Sequence, residues 1–397
     1  MYNFDKVVTR RGSGCVKWDA QPPVEADMDN VIPMWVADMD FEAAPFIRQA
    51  IQRRVDHGIF GYTHVPESFY KATIDWFRRR HGVTYDRNWF IYTIGVVPAI
   101  SAVIKALTQP GDKVILQSPV YNCFFSSIRN NGCIILDNPL KEIPDGSGFT
   151  YGIDFEDFEK KCSDPAAKVF LLCNPHNPAG RVWTKEELRQ IGEIARRHGV
   201  IVISDEIHCE LVMPGYHYTP YGAASEENLK NSVIFCSPSK SFNIAGLQVA
   251  NIITANPDWR ARIDRAVNIN ETCDVNPIGV AALQAAYSNE GDAWLDELNA
   301  YIYGNYRTLK EIFAKEIPFA RIVKLEGTYL PWIDCRSLGL KSEEIENSLL
   351  QNEKVWVNAG AMYGQDGFIR INLATPASIC REGLERIAAG LKRLSKA

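Results

Sequence analysis

Short runs of apolar residues alternate with longer helical patterns through the middle of this chain. The runs fall at residues 90–94, 113–117, 133–136, 168–173, 200–204, 232–236 and 249–254. Several are almost continuously apolar, the pattern of strands buried on both faces of a parallel sheet. Helical periodicity fills many of the gaps. The clearest case is residues 184–198, where Thr184 and Glu187 have capping-box spacing and Gly199 supplies the stop. Alternation of this kind predicts an α/β layer architecture.

The two ends read differently. A long helical pattern runs from about residue 291 to 316. Strand-like segments follow at 321–325, 329–334, 355–357 and 368–373, and an amphipathic helix covers about 378–394. This arrangement predicts a second, α+β unit, with the irregular, proline-bearing first 50 residues packed beside it.

Composition narrows the function classes. A formal net charge of -5 gives no basic surface for nucleic acid. The densest basic cluster, Arg78–Arg79–Arg80, sits where a helix should end, and cations there complement the negative end of the helix dipole. No apolar run approaches the ~20 residues of a membrane helix, and the first residues lack a signal-peptide core. The ten cysteines include no Cys-x-x-Cys pair, which argues against structural zinc and thioredoxin-like chemistry. A reducing cytoplasm is the expected compartment, and no metal is expected.

Open parallel sheets bind ligands beyond the carboxyl ends of their strands. Four such junctions are polar. Ser237-Pro238-Ser239-Lys240 places a lysine between hydroxyls and the apolar Phe242, Ile244 and Leu247. An amine held in such a pocket can lose its proton near neutrality and act as nucleophile or base. Ser204-Asp205-Glu206-Ile207-His208 offers a carboxylate suited to a buried cation. Asn174-Pro175-His176-Asn177-Pro178-Ala179-Gly180 is a sharp loop carrying amide side chains. Gly95-Val96-Val97-Pro98 opens a helix whose first N–H groups can hold a phosphate. Each junction also has a structural explanation as a cap, a turn or a surface cation.

Together these motifs, in this order and spacing, resemble the fold-type I pyridoxal-phosphate enzymes, the aspartate-aminotransferase superfamily. Phe368-Ile369-Arg370-Ile371-Asn372 extends the match towards the C-terminus. Within that group the chain is similar to the MalY/PatB branch of cystathionine β-lyases and related C–S lyases. The supporting segments are Pro33-Met-Trp-Val-Ala-Asp-Met-Asp-Phe41, Phe60-Gly-Tyr-Thr63, Asp205-Glu-Ile-His208 and Ser239-Lys-Ser-Phe-Asn243. The resemblance implies a large domain over residues 48–288 with a mostly parallel seven-stranded sheet flanked by helices. It implies a small α+β domain from residues 1–47 and 289–397.

The same resemblance implies roles for single residues. Lys240 would carry pyridoxal 5′-phosphate as a Schiff base and shuttle protons. Asp205 would pair with the pyridinium nitrogen. Asn177 and His208 would lie near the phenolic oxygen, and Tyr121 would stack on the ring. The Val96 and Val97 amides, Ser237 and Ser239 would hold the phosphate. Tyr62 would reach the partner subunit's site, touching phosphate and substrate, which implies a homodimer. Arg370 would clamp the substrate α-carboxylate, with Asn177 and Ala37 beside the substrate. Two positions depart from the superfamily pattern: Gln248 replaces a phosphate-binding arginine eight residues beyond the lysine, and Ala179 replaces a common hydroxyl residue.

The implied reaction is α,β-elimination from cystathionine or another S-substituted cysteine. The products would be a thiol such as homocysteine, pyruvate and ammonia, with Lys240 or Tyr121 protonating the leaving sulfur. Two alternatives share these residues: an aminotransferase, and a lyase that also binds a transcriptional regulator.

Overall fold

The computed structural model describes residues 2–22, 24–146, 148–269 and 274–396. All seven apolar runs of the central region form one sheet. Its strands are β1 (Phe90–Thr93), β2 (Lys113–Leu116), β3 (Ile134–Asp137), β4 (Ala167–Cys173), β5 (Ile201–Asp205), β6 (Ser232–Cys236) and β7 (Ala250–Ile253). In space they run β1-β7-β6-β5-β4-β2-β3, and β7 alone is antiparallel to its neighbours.

The continuous apolar character of β4 has a direct cause. Val169, Leu171 and Cys173 face a core shared with the helix Val96–Leu107, while Phe170 and Leu172 face one shared with the helix Lys185–Arg197. Helices cover both faces, so neither set of alternate positions meets water. The capping box forms as expected: Glu187 N–H donates to Thr184 Oγ1 at 3.2 Å, and Thr184 N–H to Glu187 Oε2 at 2.8 Å.

The second sheet is antiparallel. It comprises β8 (Arg321–Ile322), β9 (Trp332–Asp334), β10 (Asn358–Ala359) and β11 (Phe368–Arg370), in the order β8-β9-β11-β10. The helices Asn289–Glu316 and Ala377–Leu394 pack against each other beside it. These strands are shorter than their apolar patterns: beyond them Val323 keeps only an isolated bridge to Phe149, and Tyr329, Leu330, Ile371 and Leu373 are buried outside the ladder. The segment expected as a strand at 355–357 pairs instead, through Val355–Trp356, with Ile32–Pro33 from the N-terminal region. Sequence reading missed the hairpin Lys141–Asp145/Gly148–Gly152, whose first strand is fully exposed and contains Pro144. Its second strand does alternate, but over only two apolar positions, Phe149 and Tyr151, set between glycines.

The basic cluster ends the helix Glu67–His81 and does more than complement a dipole. Arg79 pairs with Asp292 at 2.7 Å, and Arg80 bridges Glu210 at 3.1 Å and Asp296 at 3.2 Å. No helix among the described residues is long and apolar enough to cross a membrane.

Candidate active site

Three adjacent strand ends build the site. Strand register sets Cys173 beside Asp205 and Asp205 beside Phe235, so the loops after β4, β5 and β6 leave the sheet side by side. Residues more than 60 positions apart in sequence, from Asn174 to Lys240, therefore share one edge.

Lys240 lies in the loop after β6. Its Nζ donates to the Ala37 carbonyl at 2.7 Å. Burial of the amine, with help from the nearby Arg370 cation, lowers its pKa to about 8. Asp205 ends β5 and is only 4% exposed. Among the described residues its carboxylate accepts one hydrogen bond, from Ile207 N–H at 3.1 Å. Burial raises its pKa to about 7, with Glu206 adding to the rise and Lys240 opposing it. Each of Asp205 and Lys240 shifts the other's titration, yet no ion pair within 4.0 Å joins them. They are near enough to interact and too far apart to pair directly.

Arg370, at the end of β11, is 3% exposed. Its Nη1 donates to Asn177 Oδ1 at 3.2 Å and its Nη2 to the Trp35 carbonyl at 2.9 Å, with the guanidinium 4.7 Å from the Tyr363 ring. Among the described residues its buried Nε has no acceptor. His208 is buried, and its Nδ1 likewise lacks a partner among them. Burial, together with the Lys240 and Arg370 charges, pushes its pKa down to about 3, so its imidazole is neutral. Tyr121 caps the helix Asn122–Asn130. Burial raises its phenol pKa well above the ordinary value, reinforced by Cys123.

The hydroxyls after β6 are linked. Ser237 Oγ donates to the Val249 carbonyl at 2.7 Å and accepts from Ser239, its Oγ 2.6 Å away and its N–H at 3.1 Å. Val96 is buried and Val97 exposed in the first turn of the helix Val96–Leu107, where N–H groups have no partner within the helix. Gln248 is exposed, in a left-handed conformation at φ 50°. Tyr62 stands apart from this group, at 100% exposure, between the helices Pro45–Asp56 and Glu67–His81.

Sequence reasoning missed the residues that hold Ala37 in place. The carbonyls of residues 35–39 all accept from side chains. Asn358 joins Arg370 on Trp35 at 2.8 Å, and Asn372 Nδ2 donates to Val36 at 2.5 Å and Asp38 at 2.6 Å. Tyr329 OH donates to Ala37 at 3.0 Å, and Asn243 to Met39 at 2.9 Å. Beneath this segment the buried Lys17 pairs with Asp40 at 2.7 Å. Asn243 and Asn372 sat inside the matched motifs. Tyr329 and Lys17 carried no signal, since an aromatic in a strand pattern reads as core and a lone lysine reads as surface. Elsewhere, His81, Cys209 and Glu210 bring potential ligand atoms within 4.8 Å, but Glu210 is already bonded by Trp76, His81 and Arg80.

The family model of aminotransferase class I and II matches residues 29–387. The chain belongs to this family. Among curated members it is 41% identical, over 98% of this chain and 100% of the relative, to the cystathionine β-lyase PatB of Bacillus subtilis. Among solved structures, a pyridoxal-phosphate-bound putative aminotransferase from Clostridium difficile superposes with a TM-score of 0.93 at 38% identity, covering 98% and 100% of the two chains. The pyridoxal-phosphate-bound C–S lyase of Staphylococcus hominis, complexed with L-cycloserine, gives 0.90 at 33% identity, covering 98% of each.

Proposed function

We propose that this chain is a pyridoxal-phosphate-dependent carbon–sulfur β-lyase that cleaves cystathionine or a related S-substituted cysteine to a thiol, pyruvate and ammonia. The observation that carries the reading is the meeting of the Lys240 amine and the buried Asp205 carboxylate at adjacent strand ends, the carboxylate having no cation within 4.0 Å among the described residues. The fold-type I layout supports it, with residues 48–288 as the large unit and 1–47 with 289–397 as the small one.

The residues fit the cofactor. Asp205 suits a protonated ring nitrogen, the His208 Nδ1, unpartnered among the described residues, would serve a ring oxygen, and the Asn177 amide nitrogen donates to no group of the described protein. The linked Ser237 and Ser239 hydroxyls and the Val96 and Val97 amides suit the phosphate. Tyr121 suits the ring face. Bound pyridoxal phosphate supplies an electron sink for the pair left at Cα when its proton departs.

The protein's own groups do the rest. Arg370, held by Asn177 and Trp35, binds the α-carboxylate, and its free Nε adds a donor. Asp205 keeps a proton on the ring nitrogen. Lys240 Nζ removes the Cα proton, and its depressed pKa matches that task near pH 7. The resulting ammonium then protonates the departing sulfur. Tyr121 is the weaker acid for that step, because burial holds its phenol neutral. Tyr62 completes the partner subunit's site in a homodimer, which accounts for a tyrosine fully exposed on one chain. The nine described cysteines are free thiols, and a reducing cytoplasm is the compartment we assign.

Incubation of the holoenzyme with cystathionine, following pyruvate and free thiol together, tests the reading. Both should appear in equal amounts. Transfer of the amino group to a 2-oxo acid with no thiol release would replace the lyase with an aminotransferase.

A further inference from the structure

Ala37 has one carbonyl oxygen and two strong donors on it: Lys240 Nζ at 2.7 Å and Tyr329 OH at 3.0 Å. Tyr329 is fully buried, and its ring meets that of His208 edge to face, with centroids 6.3 Å apart. The two residues before it are constrained. Thr328 takes a left-handed conformation at φ 69°, and Gly327 approaches Val182 and the Leu211 carbonyl too closely for a Cβ. The Ala37 peptide is equally fixed, because Asn372 holds the carbonyls on either side of it. Neither donor can escape the competition by moving the acceptor.

From this geometry we infer that Tyr329 is a positioning residue for the proton-transferring amine: by occupying part of the Ala37 carbonyl, it weakens that carbonyl's hold on Lys240. A carbonyl offers two lone pairs, and a donor on one reduces what the other gives. A cationic amine gains more from an undivided acceptor than a neutral one does. Sharing the oxygen therefore favours the neutral amine that takes the Cα proton and frees it to swing towards substrate. The titratable and charged groups facing this amine from other elements are Arg370, Asp38, Asp205, Cys123 and His208, and Tyr329→Phe replaces none of them.

The inference rests on Lys240 as the reacting amine, and its test separates the two. In cofactor-free protein, competitive acetylation of the Lys240 peptide, read by mass spectrometry across pH 6–10, reports the amine directly without any turnover. Tyr329→Phe, which keeps the ring against His208, should move the labelling midpoint up by about half a pH unit, the size expected of one altered hydrogen bond. In the holoenzyme the acid limb of kcat should move by the same amount, with about threefold loss of kcat at pH 7 and KM unchanged. 3-Fluorotyrosine at position 329, a stronger donor of nearly equal shape, should move the midpoint the other way. Coincident midpoints for all three proteins would overturn the inference, as would a lower KM-normalised rate with no change in pH profile. Absence of pyruvate formation by the unsubstituted enzyme would remove the lyase reading while leaving the labelling result to stand.

Discussion

Replacing Asp205 with asparagine should have opposite effects on stability and on activity, and the structure gives the size of the first. Asp205 is buried, receives one backbone N–H and has no cation within 4.0 Å among the described residues. Its pKa in the folded protein is about 7, against an ordinary 3.8. Folding therefore disfavours the ionised form. Below the unfolded value both states are protonated and the carboxyl costs nothing. The cost grows as pH rises through the interval and is complete above about pH 7. At about 1.4 kcal/mol per unit, it amounts to about 2 kcal/mol at pH 5 and about 4 kcal/mol at pH 8. With an unfolding entropy of about 2.1 cal/mol/K per residue, those values correspond to roughly 2 °C and 5 °C in melting temperature. Cofactor-free Asp205→Asn should thus melt higher than the unsubstituted chain, by a margin that widens from pH 5 to pH 8. The loaded variant should lose at least about 100-fold in kcat, because the amide cannot hold a proton on the ring nitrogen. Differential scanning calorimetry of the cofactor-free proteins and pyruvate assays of the loaded ones measure the two arms. A melting difference independent of pH, or near-normal turnover by the variant, would refute the reasoning.

Three further outcomes follow from the same geometry. Lys240→Ala should show no absorbance band near ~420 nm that borohydride fixes to protein, and pyruvate formation should fall about 1000-fold or more, as read by spectrum, intact mass and assay. Arg370→Lys keeps the charge but loses the fork that reaches Asn177 and Trp35. It should reduce kcat/KM roughly 10- to 100-fold, mainly through KM, in steady-state kinetics. Asn372→Ala leaves the Val36 carbonyl without its donor and removes one from Asp38. It should destabilise by about 2–3 kcal/mol in urea unfolding and raise KM, since the Ala37 segment loses its brace.

The amino-acid sequence by itself determined which segments are strands of the central sheet. A strand covered on both faces must be apolar at successive positions, as β4 is, and that requirement is local. It also determined the residue types at each strand end, because a buried amine, carboxylate or guanidinium is too costly to keep without a task. Only the tertiary structure decided the order β1-β7-β6-β5-β4-β2-β3, which no periodicity encodes, and with it the meeting of Asn177, Asp205 and Lys240 on one edge. The pairing of residues 32–33 with 355–356, the brace of asparagines around Ala37, and the two donors on its carbonyl are likewise products of chain segments separated by about 200 to 340 positions. Hydrogen bonds of that kind depend on where a backbone oxygen points. The direction of a carbonyl is set by the packed fold and leaves no trace in residue identity.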